Sequence, residues 1–306
     1  MHLQILDLDG ALATQSSLAQ AAAWDSVRTI ALRDLAPRLR LWSRDASMRV
    51  ARARIAAHAV DGPAVSLLGS GDFHHIAALL HERVREPFTI VHIDNHPDWV
   101  RLAPRWHCGS WVNRALRLPQ VAKVITLGPC SEDLSRPDLK GGNLPALSAG
   151  RIVLWPWSHA PTTSWRRVAD GLGHRYEHGR IVWRNLAESN LAAALDAIIL
   201  AIPTDCIWFS IDKDVLAEPE AVTNWDQGQM PLAAVLDTIR TLAAHKRVLG
   251  ADICGEYSPP QHRNWLKRWE SQMDQPQREE VGAAALARNE ATNRSLLGAL
   301  AQASSR

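Results

Sequence analysis

IVHIDNHPDW, residues 90–99, begins as a short apolar run and ends in Asp94, His96 and Asp98, three metal-ligand side chains spaced two residues apart. The run has the length and apolar content of a buried strand, so these polar groups stand where a strand stops. Comparable runs recur at LQILDL (3–8), AVSLLG (64–69), FTIVHI (88–93), KVITLG (123–128), RIVLWP (151–156), CIWFSI (206–211) and RVLGAD (247–252). Amphipathic stretches separate them: IAALLHERVR, WVNRALRL, LAAALDAIILA and MPLAAVLDTIRTLAAHK. This alternation predicts an α/β fold, a parallel sheet with helices on both faces.

The 306 residues are read as one domain, 1–306, with a core of about 1–260 and a helical extension of about 261–306. LKGGNLPALSAG (139–150) reads as a loop. The segment after Pro276 carries an apolar stripe through Val281, Leu286, Leu296, Leu297 and Leu300, and is expected to pack on the outside or to join subunits of a homo-oligomer. A net charge of +2, from 34 basic and 32 acidic residues, argues against a nucleic-acid or membrane-surface partner and leaves a small molecule as the default. The arginines of RDASMRVARARIAAH read as a solvated helix face. The four cysteines lack a CxxC pair, the N-terminus lacks a signal-peptide pattern, and the longest apolar run is too short for a bilayer; a cytoplasmic protein with free thiols is expected. Most of the 13 tryptophans, among them Trp155, Trp157, Trp265 and Trp269, are expected to serve packing.

In a parallel α/β sheet, ligands gather at the carboxyl ends of the strands. FTIVHI runs into Asp94, His96 and Asp98; CIWFSI into Asp212 and Asp214; AVSLLG into Asp72, His74 and His75; RVLGAD leads through Asp252 to Glu256. Clustered carboxylates in a partly buried site force protonation or separation unless positive charge is supplied, which two divalent cations would do. Oxygen-rich ligation with imidazole suits Mn²⁺. Singly, each element has a plainer reading, since an Asp at a strand end often caps a helix or forms a turn.

Taken in order, GSGDFHH (69–75), DNHPD (94–98), HCGSW (107–111), SIDKD (210–214) and GEYSP (255–259) resemble the motifs of the arginase, agmatinase and formiminoglutamase superfamily, the ureohydrolases, over residues 65–260. The resemblance implies a three-layer αβα fold with a mostly parallel eight-stranded sheet, and two Mn²⁺ ions per chain. It makes Asp94 and Asp212 bridging carboxylates, with His74 and Asp98 completing one metal's shell and His96 and Asp214 the other's. It further implies a metal-bridging hydroxide that attacks a guanidinium or amidine carbon and is steadied by Asp214. His107 would relay a proton to the leaving amine, and Glu256 would pair with the substrate's cationic head.

This chain departs from the family pattern at several positions. Phe73 precedes His74, leaving His74 and His75 both in reach of the metal, with His74 favoured. Cys108 separates His107 from Gly109, and Lys213 lies between the paired aspartates, where strand alternation turns it to the opposite face. WVRLAPRW (99–106) lacks the polar residues with which arginases grip an amino acid, which disfavours arginine itself. In TNWDQGQM (223–230), Asn224, Asp226 and Gln227 either contact substrate or shape the loop. Competing readings are a mononuclear zinc deacetylase of the same topology, a metal-binding scaffold without turnover, and a phosphatase using Asp7 and Asp9 of ILDLDGAL.

Overall fold

The computed structural model describes residues 1–101, 106–259, 261–276 and 281–303. Its strands are β1 (His2–Asp7), β2 (Val27–Ala31), β3 (Trp42–Ser43), β4 (Ala64–Leu67), β5 (Phe88–Ile93), β6 (Trp106–His107), β7 (Val121–Leu127), β8 (Ile152–Trp155), β9 (Thr162–Thr163), β10 (His174–Glu177), β11 (Arg180–Trp183), β12 (Cys206–Asp212) and β13 (Arg247–Cys254). Its helices are α1 (Ala36–Leu39), α2 (Asp45–Ala57), α3 (Ala77–His81), α4 (Trp111–Ala115), α5 (Leu144–Ser148), α6 (Leu191–Ala201), α7 (Leu232–His245), α8 (Trp265–Asp274) and α9 (Ala283–Ala303).

Eight strands form one all-parallel sheet in the order β2-β1-β4-β13-β12-β5-β7-β8. Seven of them coincide with the apolar runs read from the sequence. The eighth, β2, escapes that reading because it lies at the sheet edge, with Ile30 alone buried. Central strands covered on both faces become continuous apolar runs, as in β5, whose residues are all buried; an edge strand does not need that pattern. Two hydrophobic clusters cover the faces. One includes Ile90, Val124 and Trp111, the other Val91, Phe209 and Ile211, so successive residues of one strand serve opposite layers.

The order of strands places a topological switch between β5 and β12. From β5 the chain proceeds outward through β7 to β8, whereas β12 is followed by β13 in the other direction. A crevice opens at such a point because the connections leave in opposite directions.

Local details refine the sequence reading. The stretch 139–150 is not all loop: Asn143 Oδ1 accepts a hydrogen bond from Ala146 N and starts α5. A small antiparallel sheet, β10-β11-β9, was not foreseen. α2 buries Met48, Ala51 and Ile55 and turns its arginines outward, where Arg52 meets Glu82 and Arg54 meets Asp34. Trp155 is buried, but Trp265 and Trp269 stand 72% and 60% exposed on α8, contrary to the packing role expected of them. α9 packs on α7 in the outer helical layer. Among the described residues, no helix is long and apolar enough to cross a membrane.

Candidate metal centre

The carboxyl ends of β4, β5 and β12 deliver their polar residues to one cavity of about 730 Å³. After β4, Ser70 caps a 3₁₀ turn, Gly71–Ile76, accepting a hydrogen bond from Asp72 N; this turn carries His74 inward. A side-chain carbon at Gly71 would stand 2.6 Å from Asp212 Oδ2, so glycine is needed for the close approach of turn and strand. After β5 the chain turns sharply and Asp98 takes a φ of +45°, a left-handed conformation that costs energy unless the surroundings hold it. Asp98 Oδ2 is held by Trp111 Nε1 at 2.6 Å.

His74 Nδ1 lies 3.1 Å from Asp94 Oδ2, 3.2 Å from Asp98 Oδ2 and 3.7 Å from Asp212 Oδ2. On the other side of Asp94, His96 Nδ1 is 3.5 Å from Asp94 Oδ1 and 2.9 Å from Asp214 Oδ2. Two groups of potential ligand atoms therefore meet at Asp94: His74, His92, Asp94 and Asp98, and Asp94, His96 and Asp214. A third group, His74, Asp212 and Cys254, adjoins the first. All of these residues except His96 are buried.

His74 is oriented from behind. Its Nε2–H donates to Ser210 Oγ at 2.9 Å, and the Ser210 hydroxyl donates to Asp252 Oδ1 at 2.7 Å. That chain fixes the tautomer and leaves Nδ1 as the donor atom facing the carboxylates. His75 is buried elsewhere, with both ring nitrogens lacking hydrogen-bond partners among the described residues, and burial pushes it well below the usual histidine range. The geometry thus brings His74, and not His75, to the site.

The electrostatics are those of a cluster lacking positive charge. Burial, then the Asp94 charge, raises Asp212 to about 6. Burial and the charges of Asp212 and Asp94 push Asp214 well up, and burial with Asp94 raises Asp98. Asp94 itself stays well below the usual range: burial opposes this, but His92 and His74 outweigh it. His96 is raised well above its ordinary value, with Asp214 outweighing its burial. A donor set that must borrow protons to remain together fits divalent cations.

A pH dependence follows. Asp212, Asp98 and Asp214 bind protons more tightly in the folded than in the unfolded chain. The stability this confers is fully present below their ordinary value of 3.8 and, for Asp212, is lost as pH rises through about 6. Metal-free protein is therefore expected to melt at progressively lower temperature as pH rises from about 4 through about 6. Saturating divalent cation should abolish that trend, and thermal denaturation of both forms checks it.

No family model matches the chain. An uncharacterized protein of Thermotoga maritima is 26% identical over 195 residues, 64% of this chain and 59% of that protein, so the chain spans less than two thirds of this relative's length. Formimidoylglutamase from Bacillus subtilis superposes with a TM-score of 0.63 at 15% identity, over 98% of this chain and 86% of that one. Proclavaminate amidino hydrolase from Streptomyces clavuligerus gives 0.61 at 13%, over 99% and 92%. Entamoeba histolytica arginase in complex with L-ornithine gives 0.61 at 12%, over 97% and 98%. The chain has the ureohydrolase fold.

Within this ureohydrolase fold, several expectations fail. Glu256 does not line the cavity. Its carboxylate is 3% exposed and pairs with the fully buried Lys213; it also accepts hydrogen bonds from Gln15, Asn289 and Asn293 at 3.0, 3.1 and 2.6 Å. With its acceptor sites occupied inside the protein, it has no capacity left for a substrate cation. Asn224 also faces away, bonding Ser70 Oγ and the Ser258 backbone, and Gln227 bonds Thr223 and Leu216 O; both shape the loop. Asp226 does line the cavity and accepts from His96 Nε2 at 2.8 Å. Lys213 points away from the paired aspartates toward Glu256, as expected, although it opens a 3₁₀ turn after β12 rather than continuing the strand. Asp7 pairs with Arg33, and Asp9 is used by Ser70 N and Ser258 Oγ, so neither reaches the cavity. Of WVRLAPRW, residues 102–105 lie outside the described residues, as do 277–280 after Pro276.

One wall of the cavity comes from a helix to which the sequence reading assigned no part in the site. α8, which precedes Pro276, forms that wall through Glu270, Met273 and Asp274, with Gln275 and Pro276 just after it. It is anchored by Lys267 Nζ, which donates to Arg40 O at 2.6 Å, and by Gln275 Nε2 on Asp72 Oδ1 at 2.5 Å. Glu270 Oε1 accepts from His107 Nε2 at 2.6 Å, and Glu270 Oε2 accepts from Trp42 Nε1 at 2.8 Å. His107 Nδ1 in turn accepts from Gly109 N at 2.9 Å, which places the ring proton on Nε2, toward Glu270. His92 and Cys254 were also missed, although strand alternation puts His92 on the face of Asp94 and Cys254 on that of Asp252.

Proposed function

We propose that this protein is a binuclear-metal hydrolase of carbon–nitrogen bonds in linear amidines or guanidines, working in a reducing compartment such as the cytoplasm. One observation carries the reading: His74, Asp94, His96, Asp98, Asp212 and Asp214, drawn from three separate strand ends, face one cavity of a ureohydrolase fold. Asp94 and Asp212 would be shared between two positions, with His74 and Asp98 at one and His96 and Asp214 at the other. When bound there, two divalent cations offset the carboxylate charge and activate water as a nucleophile at neutral pH. The oxygen and imidazole donors around His96 and Asp214 favour Mn²⁺ at that end.

The rest of the cavity supports a cationic substrate. Among the described residues that line it, carboxylates predominate and no lysine or arginine is present. Burial, then the neighbouring charges of Glu270 and Asp133, raises Asp274, as expected of carboxylates gathered on one wall. A planar amidinium entering here would donate charge-assisted hydrogen bonds to Asp226 and Glu270 in place of the unavailable Glu256. His107 and Glu270, joined through Nε2–H, form the pair that passes a proton to the departing nitrogen. The four free thiols agree with a reducing compartment.

The test is elemental analysis of purified protein, then ammonia and urea release from a panel of guanidino, amidino and formimino compounds. Two cations per chain with turnover of one such class is the expected result. One zinc per chain with amide cleavage would favour the deacetylase reading, and bound metal without turnover a scaffold. His107→Ala is expected to keep its metal yet lose activity by roughly 10²- to 10⁴-fold, the usual contribution of a positioned acid or base. Wild-type activity in that variant would remove His107 from the chemistry.

A further inference from the structure

The geometry points to Cys254 as a thiolate ligand at the His74 end of the centre, making the two metal positions chemically unequal: one oxygen and imidazole, the other including sulfur. This rests on the binuclear reading above and concerns a residue which that reading leaves unused.

Cys254 is the last residue of β13 and stands level with Asp212, the last residue of β12, in the parallel register. It is 1% exposed, and its Sγ lies 3.1 Å from Asp212 Oδ2. Its donor atom, His74 Nδ1 or Nε2 and an Asp212 oxygen all fall within 4.8 Å of one another. Ligand bonds of 2.0–2.3 Å around a tetrahedral ion set donor–donor separations at roughly 3.3–3.8 Å. The distances of 3.1 Å from Sγ to Asp212, and of 3.2 and 3.7 Å from His74 Nδ1 to Asp98 and Asp212, are close to that spacing before any ion draws the groups together.

A buried cysteine is ordinarily a small hydrophobe, and of the other buried thiols Cys108 meets His107 Nδ1 at 3.9 Å while Cys206 meets Glu86 Oε2 at 3.4 Å, neither within one of the ligand groups. Cys206, for instance, lies at the opposite end of β12. Cys254 instead sits among ligand-type side chains. The residue after it, Gly255, turns with a φ of +87°, and a side-chain carbon there would collide with Asp212 Oδ1; the turn thus keeps the Asp212 carboxylate and the thiol side by side. Thiolate ligation selects borderline and soft ions, so the His74 end should prefer Zn²⁺ or Co²⁺ to Mn²⁺, while the His96 end keeps the harder preference.

The experiment uses the full chain, stripped of metal and titrated with Co²⁺, in wild type and in Cys254→Ser. Wild type should develop a near-ultraviolet sulfur-to-cobalt charge-transfer band with one of two bound equivalents. Cys254→Ser should bind cobalt with its visible ligand-field bands but without that band, and Zn²⁺ should no longer displace Mn²⁺ selectively from one position. Should the variant not fold, X-ray absorption at the zinc edge of the wild type still decides, through a sulfur neighbour at about 2.3 Å. Two cobalt equivalents bound without a charge-transfer band, or a zinc shell of oxygen and nitrogen alone, overturn the assignment of Cys254 and leave the binuclear centre standing. Failure of the wild type to bind any of these ions overturns both.

Discussion

Replacing Asp94 with alanine is expected to leave the purified protein without its metal pair and to lower turnover by more than about a hundredfold. Asp94 is the residue at which both sides of the centre meet. Its Oδ2 faces His74 and His92, at 3.1 and 2.8 Å, and its Oδ1 faces His96 at 3.5 Å. Removing it deprives each position of a charged donor, and leaves His74 and His96 without the anion between them. Asp212→Ala should act similarly, because its carboxylate adjoins His74 and Cys254 while its Oδ1 accepts from Asp214 N at 3.0 Å. Elemental analysis is the measurement. Full metal content in both variants refutes the ligand assignment, whatever happens to activity.

The second large effect concerns folding. Lys213→Met should destabilise the protein by about 3–5 kcal/mol, because it strands the Glu256 carboxylate in the interior with only neutral amides around it. On the scale that relates stability to melting for domains of comparable size, this is a fall in Tm of roughly 10 °C. Pairing the change with Glu256→Gln removes the orphaned charge and should restore most of the loss, as expected for two coupled residues. If the double variant melts no higher than Lys213→Met alone, the buried ion pair is not what that region depends on. The contrast with an exposed pair is instructive: Arg240 and Asp237 stand on the surface and make little difference to stability.

The proposed metal donors were legible as a cluster in the sequence because their information is local. Asp94, His96 and Asp98 follow a strand at fixed short spacing, and the period of two also predicted that Lys213 would face away from its neighbours. Glu256 misled because the partners that consume it are remote: Asn289 and Asn293 come from α9, where polar residues interrupt an apolar stripe, and Gln15 from the opposite end of the chain. Resemblance carried the residue type to the right strand end, but the side chain's orientation was decided by a lysine and three amides that no short motif contains. The same is true of Glu270, whose hydrogen bond to His107 spans 163 positions of sequence. His92 could have been noticed, since a histidine inside an otherwise apolar strand, two residues before Asp94, must share that residue's face. β2 gave no such sign, because an edge strand with one buried residue has little need of apolar patterning.

α8 contributes no strand to the sheet and none of the proposed metal donors, yet it supplies one wall of the cavity. Under the proposed function, bond cleavage and tail selection would fall to different stretches of polypeptide. A lineage carrying this architecture could then exchange one short helix and acquire a new preference, while the proposed donors at the strand ends are inherited unchanged.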